Sequence, residues 1–111
     1  MQTVLIRATH GPACHDFTAE LAGWLRRIGA REGVATVFVR HTSCSLLIQE
    51  NADPDVQRDL LNWLDRIAPP ADHPSMAYLT HRAEGPDDMP AHLKAALLPV
   101  SLSSPVSGGR M

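Results

Sequence analysis

Two stretches of this chain repeat one apolar spacing. Phe17, Leu21, Trp24, Leu25 and Ile28 fall at i, i+4, i+7, i+8 and i+11, and Val56, Leu60, Trp63, Leu64 and Ile67 fall at the same offsets. With about 3.6 residues per turn, each set lines one face of a helix. The fold must therefore hold two amphipathic helices, each with a stripe to cover. The flanking residues agree. Asp16 stands where an N-cap belongs, and Gly29 where a C-terminal glycine would end the first helix. Asp53 as N-cap with Pro54 in the first turn opens the second, and Pro69-Pro70 closes it. Trp24 and Trp63 both lie on apolar faces, where core packing accounts for them better than ligand stacking.

Between and around the helices, short β-branched runs read as strands. The spacing predicts strands at Thr3 to Thr9, at Val34 to Val39, at Ser45 to Gln49 and at Val100 to Val106, with a shorter one at Met76 to Thr80. Pro105 puts the last long strand at an edge or its end. Asp87 or Asp88 can cap a third helix that tolerates Pro90 in its first turn and continues from His92 to Leu98. Few strands are separated by a helix, which favours an α+β arrangement over a doubly wound parallel sheet. Ser107-Gly108-Gly109 is a hairpin signal, and such a turn feeds a partner strand. Only Arg110 and Met111 follow it, so the chain reads as one domain, residues 1–111, cut short at its end.

Composition narrows the function classes. At 44% apolar and 20% charged residues the chain is of ordinary globular make-up. A formal charge of −2 and no long basic run give nucleic acid little to bind. The two cysteines, Cys14 and Cys44, make neither a disulfide framework nor a CxxC zinc motif. The apolar run near the N-terminus is too short for a signal segment, and no stretch approaches the length of a membrane span. These features point to a cytoplasmic protein with free thiols and no membrane contact.

The chemistry rests on histidines and carboxylates. Six histidines are present, none in HExxH or another tight metal motif. His41, His81 and His92 stand at the ends of elements, where site residues gather on a rigid scaffold. They can hold a divalent ion as neutral imidazoles, contact phosphate when protonated, or serve as surface and capping residues. Asp53 and Asp55 are explained as a helix start, and Asp59 lies one turn beyond Asp55 on a solvated face. Glu84-Gly85-Pro86-Asp87-Asp88 is an acidic turn, suited to an oxygen-ligand Mg²⁺ site or to a capped loop. Cys44 lacks an assured base. No GxSxG, Walker A or Rossmann glycine pattern occurs.

Three ordered blocks carry a resemblance. HTSCSLLIQENADPDVQRDL resembles the H-T-[TS]-x-[SG] … N-E-N-x-D-P-x-V-x-x-D segment of the YjbQ-like family. EGPDDMPAHLKAALL, preceded by His81, resembles that family's E-G-x-D-D-M-P-x-H-[IL]-K block, and SLSSPVSGGR its S-L-x-x-P-V-x-x-G-R strand and turn. Gln49 departs from the pattern, and the family's later G-T-W-Q-G strand does not follow. The resemblance implies a β-sandwich-type α+β domain with flanking helices, assembled as a homotrimer and acting on a small phosphorylated molecule. It implies thiamine-phosphate-synthase-like transfer, joining a pyrimidine pyrophosphate to a thiazole phosphate. The alternative is a metal- or small-anion-binding protein without catalysis of its own. Carried over residue by residue, His41, His81, His92 and Asp88 are catalytic candidates, and Asn51, Asp59 and Lys94 are substrate or phosphate ligands. His41, His81 and His92 would converge on a divalent metal, Zn²⁺ or Mg²⁺.

Overall fold

The second helix has the best-specified start in the molecule. In the computed structural model, which describes residues 1–111, Asp53 Oδ1 accepts the Asp55 amide at 2.9 Å and Pro54 occupies the first turn. In chain order the elements are α1 (Thr18–Arg27), β1 (Gly33–Phe38), α2 (Pro54–Ile67), a 3-10 turn (Pro74–Met76), α3 (Asp88–Leu97) and β2 (Ser101–Val106). The chain is α+β, with β1 and β2 forming one two-stranded antiparallel sheet.

The α1 helix ends in a Schellman motif. Gly29 takes φ 68°, its amide donates to Arg26 O at 3.1 Å, and the Ala30 amide donates to Leu25 O at 3.0 Å. At its start the Asp16 carboxylate accepts the Thr18 amide at 2.9 Å. The stripe of α1 then lies on the sheet. Leu25, Ala35 and Val106 form a buried cluster with Trp24, Ile28 and Ala30 against it. Pairing Gly33 with Val106 and Phe38 with Ser101 fixes the register. A strand alternates its faces, so the side opposite the Leu25 cluster carries Val34 and Phe38, 69% and 62% exposed. A second cluster of Ala71, Met76 and Leu79 packs with Met89 and Leu93 of α3. The radius of gyration is 16.7 Å, against about 13 Å for a compact chain of this length.

Three expected strands do not form. Thr3 to Thr9 is irregular and exposed, because no neighbouring strand offers its backbone a ladder; only Arg7 is tied down, to Glu20 and the Asp16 carbonyl. Ser45 to Gln49 lies alongside the approach to β2 through a single backbone bond, Leu46 N to Pro99 O at 2.7 Å, too few for a ladder. At Met76 to Thr80, His73-Pro74 starts a helical turn instead. His73 Nδ1 accepts the Ser75 amide at 3.2 Å, and Pro74 presets the turn. Trp24 packs on its cluster as expected, whereas Trp63 is 53% exposed and is not a core residue of this chain.

Candidate metal centre

The second cluster positions the chemistry. The Arg82 guanidinium donates to three carbonyls, Leu79 O at 3.0 Å, Ala71 O at 2.9 Å and Met76 O at 3.0 Å. It thereby closes the loop between the Pro74 turn and α3, and Ala71 N to Pro86 O at 2.7 Å closes it again. Gly85, at φ 100°, adopts a backbone that a side chain would strain, and reverses the chain into α3. His81 sits beside Arg82 on this clamped loop. Asp88 begins α3, and His92 follows one turn later on the same face.

These three side chains meet. His81 Nε2 lies 2.8 Å from Asp88 Oδ2, and His92 Nε2 lies 3.2 Å from the same oxygen. Glu84 Oε2 stands 3.6 Å from His81 Nε2. The two imidazoles are edge to face with centroids 6.1 Å apart. One donor atom from each of His81, Asp88 and His92 falls within 4.8 Å of the others. The hydrogen bond to Asp88 raises the His81 pKa above its ordinary value. The same bond, from the other side, is the first cause holding Asp88 below the usual carboxylate range.

The far side of His92 decides its tautomer. Its Nδ1 is 3.1 Å from the Thr42 carbonyl, which can only accept, so Nδ1 carries a proton. In the neutral ring Nε2 is then a bare lone pair aimed at Asp88. A backbone carbonyl orienting an imidazole in this way is the usual outer-shell support of a metal-ligating histidine. His92 Nε2, Asp88 Oδ2 and Glu84 Oε2 are thus acceptors around one small space, and His81 Nε2 joins them once it gives up the proton it shares with Asp88. A single bridging proton serves one pair of them; a cation would serve several. Two imidazoles with one carboxylate suit Zn²⁺ better than Mg²⁺, which prefers an all-oxygen shell with retained water. Tetrahedral ligation at about 2.1 Å sets donors roughly 3.4 Å apart. Both imidazole nitrogens lie closer than that to Asp88 Oδ2, at 2.8 Å and 3.2 Å, and would have to move outward to take an ion.

Not every expected residue joins them. His41 turns away, its Nδ1 accepting the Ser43 amide at 3.0 Å and pairing with Ser43 Oγ at 2.9 Å. It contributes to this wall only through its neighbour Thr42. Asn51 has both ends of its amide engaged, donating to Asp16 Oδ2 at 2.7 Å and accepting from Gln57 Nε2 at 2.9 Å. It joins the starts of α1 and α2 and does not face the cluster with a free group. Asp59 is exposed on α2. Lys94, on α3, reaches Asp65 at 3.4 Å. Cys44 is exposed and Cys14 partly buried, both as free thiols. Sequence reasoning missed Arg82 and the Thr42 carbonyl. No local pattern marks either, since Arg82 binds the carbonyls of an irregular loop and the Thr42 carbonyl meets His92 fifty residues away in sequence.

Comparison with known proteins places the chain. The family described as UPF0047 protein YjbQ-like matches residues 2–111. The chain belongs to the YjbQ-like UPF0047 family. Among its relatives, the UPF0047 protein sll1880 of Synechocystis is 43% identical over 110 residues, 99% of this chain and 72% of that protein. The UPF0047 protein YugU of Bacillus subtilis is 32% identical over 111 residues, all of this chain and 79% of that protein. The match to YjbQ of Escherichia coli O157:H7, 38% identical over 79 residues, takes in 54% of that relative. Among solved structures, an uncharacterised YjbQ/UPF0047 protein from Clostridium acetobutylicum superposes with TM-score 0.73 at 33% identity, over 86% of this chain and 68% of that one. A conserved hypothetical protein from Thermus thermophilus gives 0.72 at 33% identity, over 88% and 70%. This YjbQ-like chain thus shares its fold with relatives that are themselves uncharacterised. No helix in it is long and apolar enough to cross a membrane.

Proposed function

We propose that His81, Asp88 and His92 form a divalent-metal centre, with Zn²⁺ the best-suited ion, serving transfer chemistry on a phosphorylated heterocycle. The reaction type is the one that the three sequence blocks imply, the joining of a pyrimidine pyrophosphate to a thiazole phosphate as in thiamine-phosphate synthesis. The observation that carries the metal reading is the convergence of three donor atoms within 4.8 Å, with His92 Nε2 presented as a lone pair by the Thr42 carbonyl.

A bound divalent ion would supply positive charge to a departing pyrophosphate. The chain's own groups do the rest. The Thr42 carbonyl orients the His92 imidazole through Nδ1. Glu84 Oε2, 3.6 Å from His81 Nε2, stands where it could take the proton that ligation displaces. Lys94 lies two residues past His92 on α3, so the two side chains leave the helix on different faces, and it pairs with Asp65 at 3.4 Å. The reading also takes the protein to act as a homotrimer. The half-exposed Trp63 and the exposed Phe38, Leu97 and Val100 support it as surface that a second copy would cover.

The test has two parts. Elemental analysis of the purified protein should find about one zinc per chain, lost on substituting His92→Ala or Asp88→Ala. Formation of thiamine phosphate from the two heterocycles should then fall with the metal. Metal retained by both variants would remove the centre. Stoichiometric metal with no turnover would leave a metal-binding protein without this chemistry.

A further inference from the structure

A second cluster lies at the other end of the sheet and takes no part in the metal centre. Arg26, Arg31 and Arg110 line one cleft of about 440 Å³, together with Gly29, Ala30, Gly108 and Gly109. Three different segments bring the guanidinium-bearing residues there. Arg26 comes from the last turn of α1, Arg31 from the link into β1, and Arg110 from the turn after β2. That turn is a tight hairpin, with Gly108 at φ 58° and Gly109 at φ 80°. It is docked on the link by Gly109 N to Arg31 O at 2.9 Å. The cleft therefore sits at the Gly33–Val106 end of the ribbon. The opposite end, Phe38–Ser101, leads to α3, roughly 17 Å along six-residue strands.

The charge in this cleft is unbalanced. All the ion pairs of the chain lie elsewhere, so none of the three arginines has a carboxylate partner. One carboxylate, Glu32, borders the cleft, accepting from Gly108 N at 2.6 Å and Ser107 Oγ at 3.4 Å, and the three guanidinium groups still outnumber it. An arginine in the last turn of a helix complements the helix dipole, which accounts for Arg26 alone. It accounts for neither Arg31 nor Arg110. Guanidinium groups are the side chains that match phosphate oxygens with two parallel donors. The cleft volume lies in the range of small-molecule sites, and glycines at three of its seven lining positions leave it open to an incoming group.

We infer that Arg26, Arg31 and Arg110 form an anion site for the phosphate or diphosphate group of a small molecule, separate from the His81–Asp88–His92 centre. Inorganic pyrophosphate is the probe. Calorimetric titration into the protein, with a chelator present so that no metal bridges the anion, should show saturable binding at one site. Arg26→Ala and Arg31→Ala should each weaken it by about tenfold. Arg31→Lys, which keeps the charge but loses the planar fork, should fall between wild type and Arg31→Ala. Arg66→Ala on α2 and His92→Ala should leave the affinity within about twofold of wild type. Because Arg31 serves the fold through its backbone carbonyl, its side-chain variants should keep the wild-type circular dichroism spectrum. Absence of saturable binding, equal affinity in the arginine variants, or loss of binding in His92→Ala would each overturn the inference. The last result would assign the anion to the metal centre and leave the metal proposal standing.

Discussion

The helices α1 and α2 carry the same apolar spacing and meet different fates. On α1, Leu25 is 4% exposed and packs between Ala35 and Val106. On α2, Leu64 is buried, but Trp63 and Ile67 in the same stripe remain 53% and 45% exposed. The spacing specifies a helix and the face that seeks cover. What covers that face depends on the rest of the chain, and only α1 has a sheet beneath it. The largest expected effect follows from this contrast. Leu25→Ala should destabilise the fold by about 3 kcal/mol, since it removes a side chain from a filled cluster. Trp63→Ala should cost about 1 kcal/mol or less in the isolated chain, because half its surface already meets water. Urea unfolding of both variants measures the gap. In a homotrimer that covers the α2 stripe, Trp63→Ala would become concentration-dependent and costly, and sedimentation would show the lost assembly.

The next contrast lies between the loop that carries His81 and the turn that carries His41. Both histidines follow apolar stretches, yet one imidazole faces the cluster and the other faces Ser43. Arg82 holds the first loop by binding three carbonyls around it, while Ser43 holds the His41 ring. Arg82→Met keeps much of the length and removes every donor, so it should cost about 1–3 kcal/mol from unsatisfied carbonyls. It should also weaken metal retention through His81 without touching a ligand. Elemental analysis alongside a melting curve separates the two consequences. Unchanged metal content in a destabilised Arg82→Met would confine Arg82 to a structural role.

That pair of loops also shows which parts of the site could be read in sequence. Asp88 and His92 lie one turn apart on a helix whose start was signalled by an acidic turn and Pro90, so their shared face follows from periodicity. The boundaries of α2 follow from Asp53-Pro54, and β1 and β2 from their β-branched runs. The strands at Thr3 to Thr9 and Ser45 to Gln49 had the same local signals but lacked a ladder partner, which no local pattern records. His41 stands outside the cluster for a local reason instead. A serine two residues on captured its Nδ1, the short-range competition that favours turns over outward-facing side chains. Asn51 was lost to a similar capture at longer range, by Asp16 and Gln57.

The two helix starts give a smaller comparison. Asp53 caps α2 directly and is backed by Pro54 and the Asp55–Arg58 pair. Asp53→Ala should cost about 1 kcal/mol of stability. At α1 the residue next to the helix is Phe17, which offers no side-chain bond, and Asp16 reaches past it to the Thr18 amide. Asp16→Ala should cost less than Asp53→Ala, although it also frees Asn51. Thermal melts of the two variants set the order, and a larger loss at Asp16 would show that the link to Asn51 outweighs the cap.

Acid separates the same two ends of the molecule in a final, smaller way. The Thr18 amide, followed by the Thr18 hydroxyl and Arg7, holds the Asp16 carboxyl below its ordinary value near 3.8. A group with a lowered folded pKa contributes stability that is whole above the unfolded value and is lost as pH falls through the folded one. For α1 that loss therefore begins below about pH 4. His81 runs the other way. Its raised pKa means that its bond to Asp88 contributes fully below about pH 6.5 and is lost as pH rises through the higher folded value. Between those limits both contributions are present. Helicity followed through an acid titration should thus fall at lower pH in wild type than unperturbed aspartate titration would give, and Asp16→Asn should remove the part of that step owed to α1, leaving the part owed to the likewise lowered Asp88 and the alkaline change at His81 in place. An acid step of undiminished size in Asp16→Asn would show that a different carboxylate governs α1.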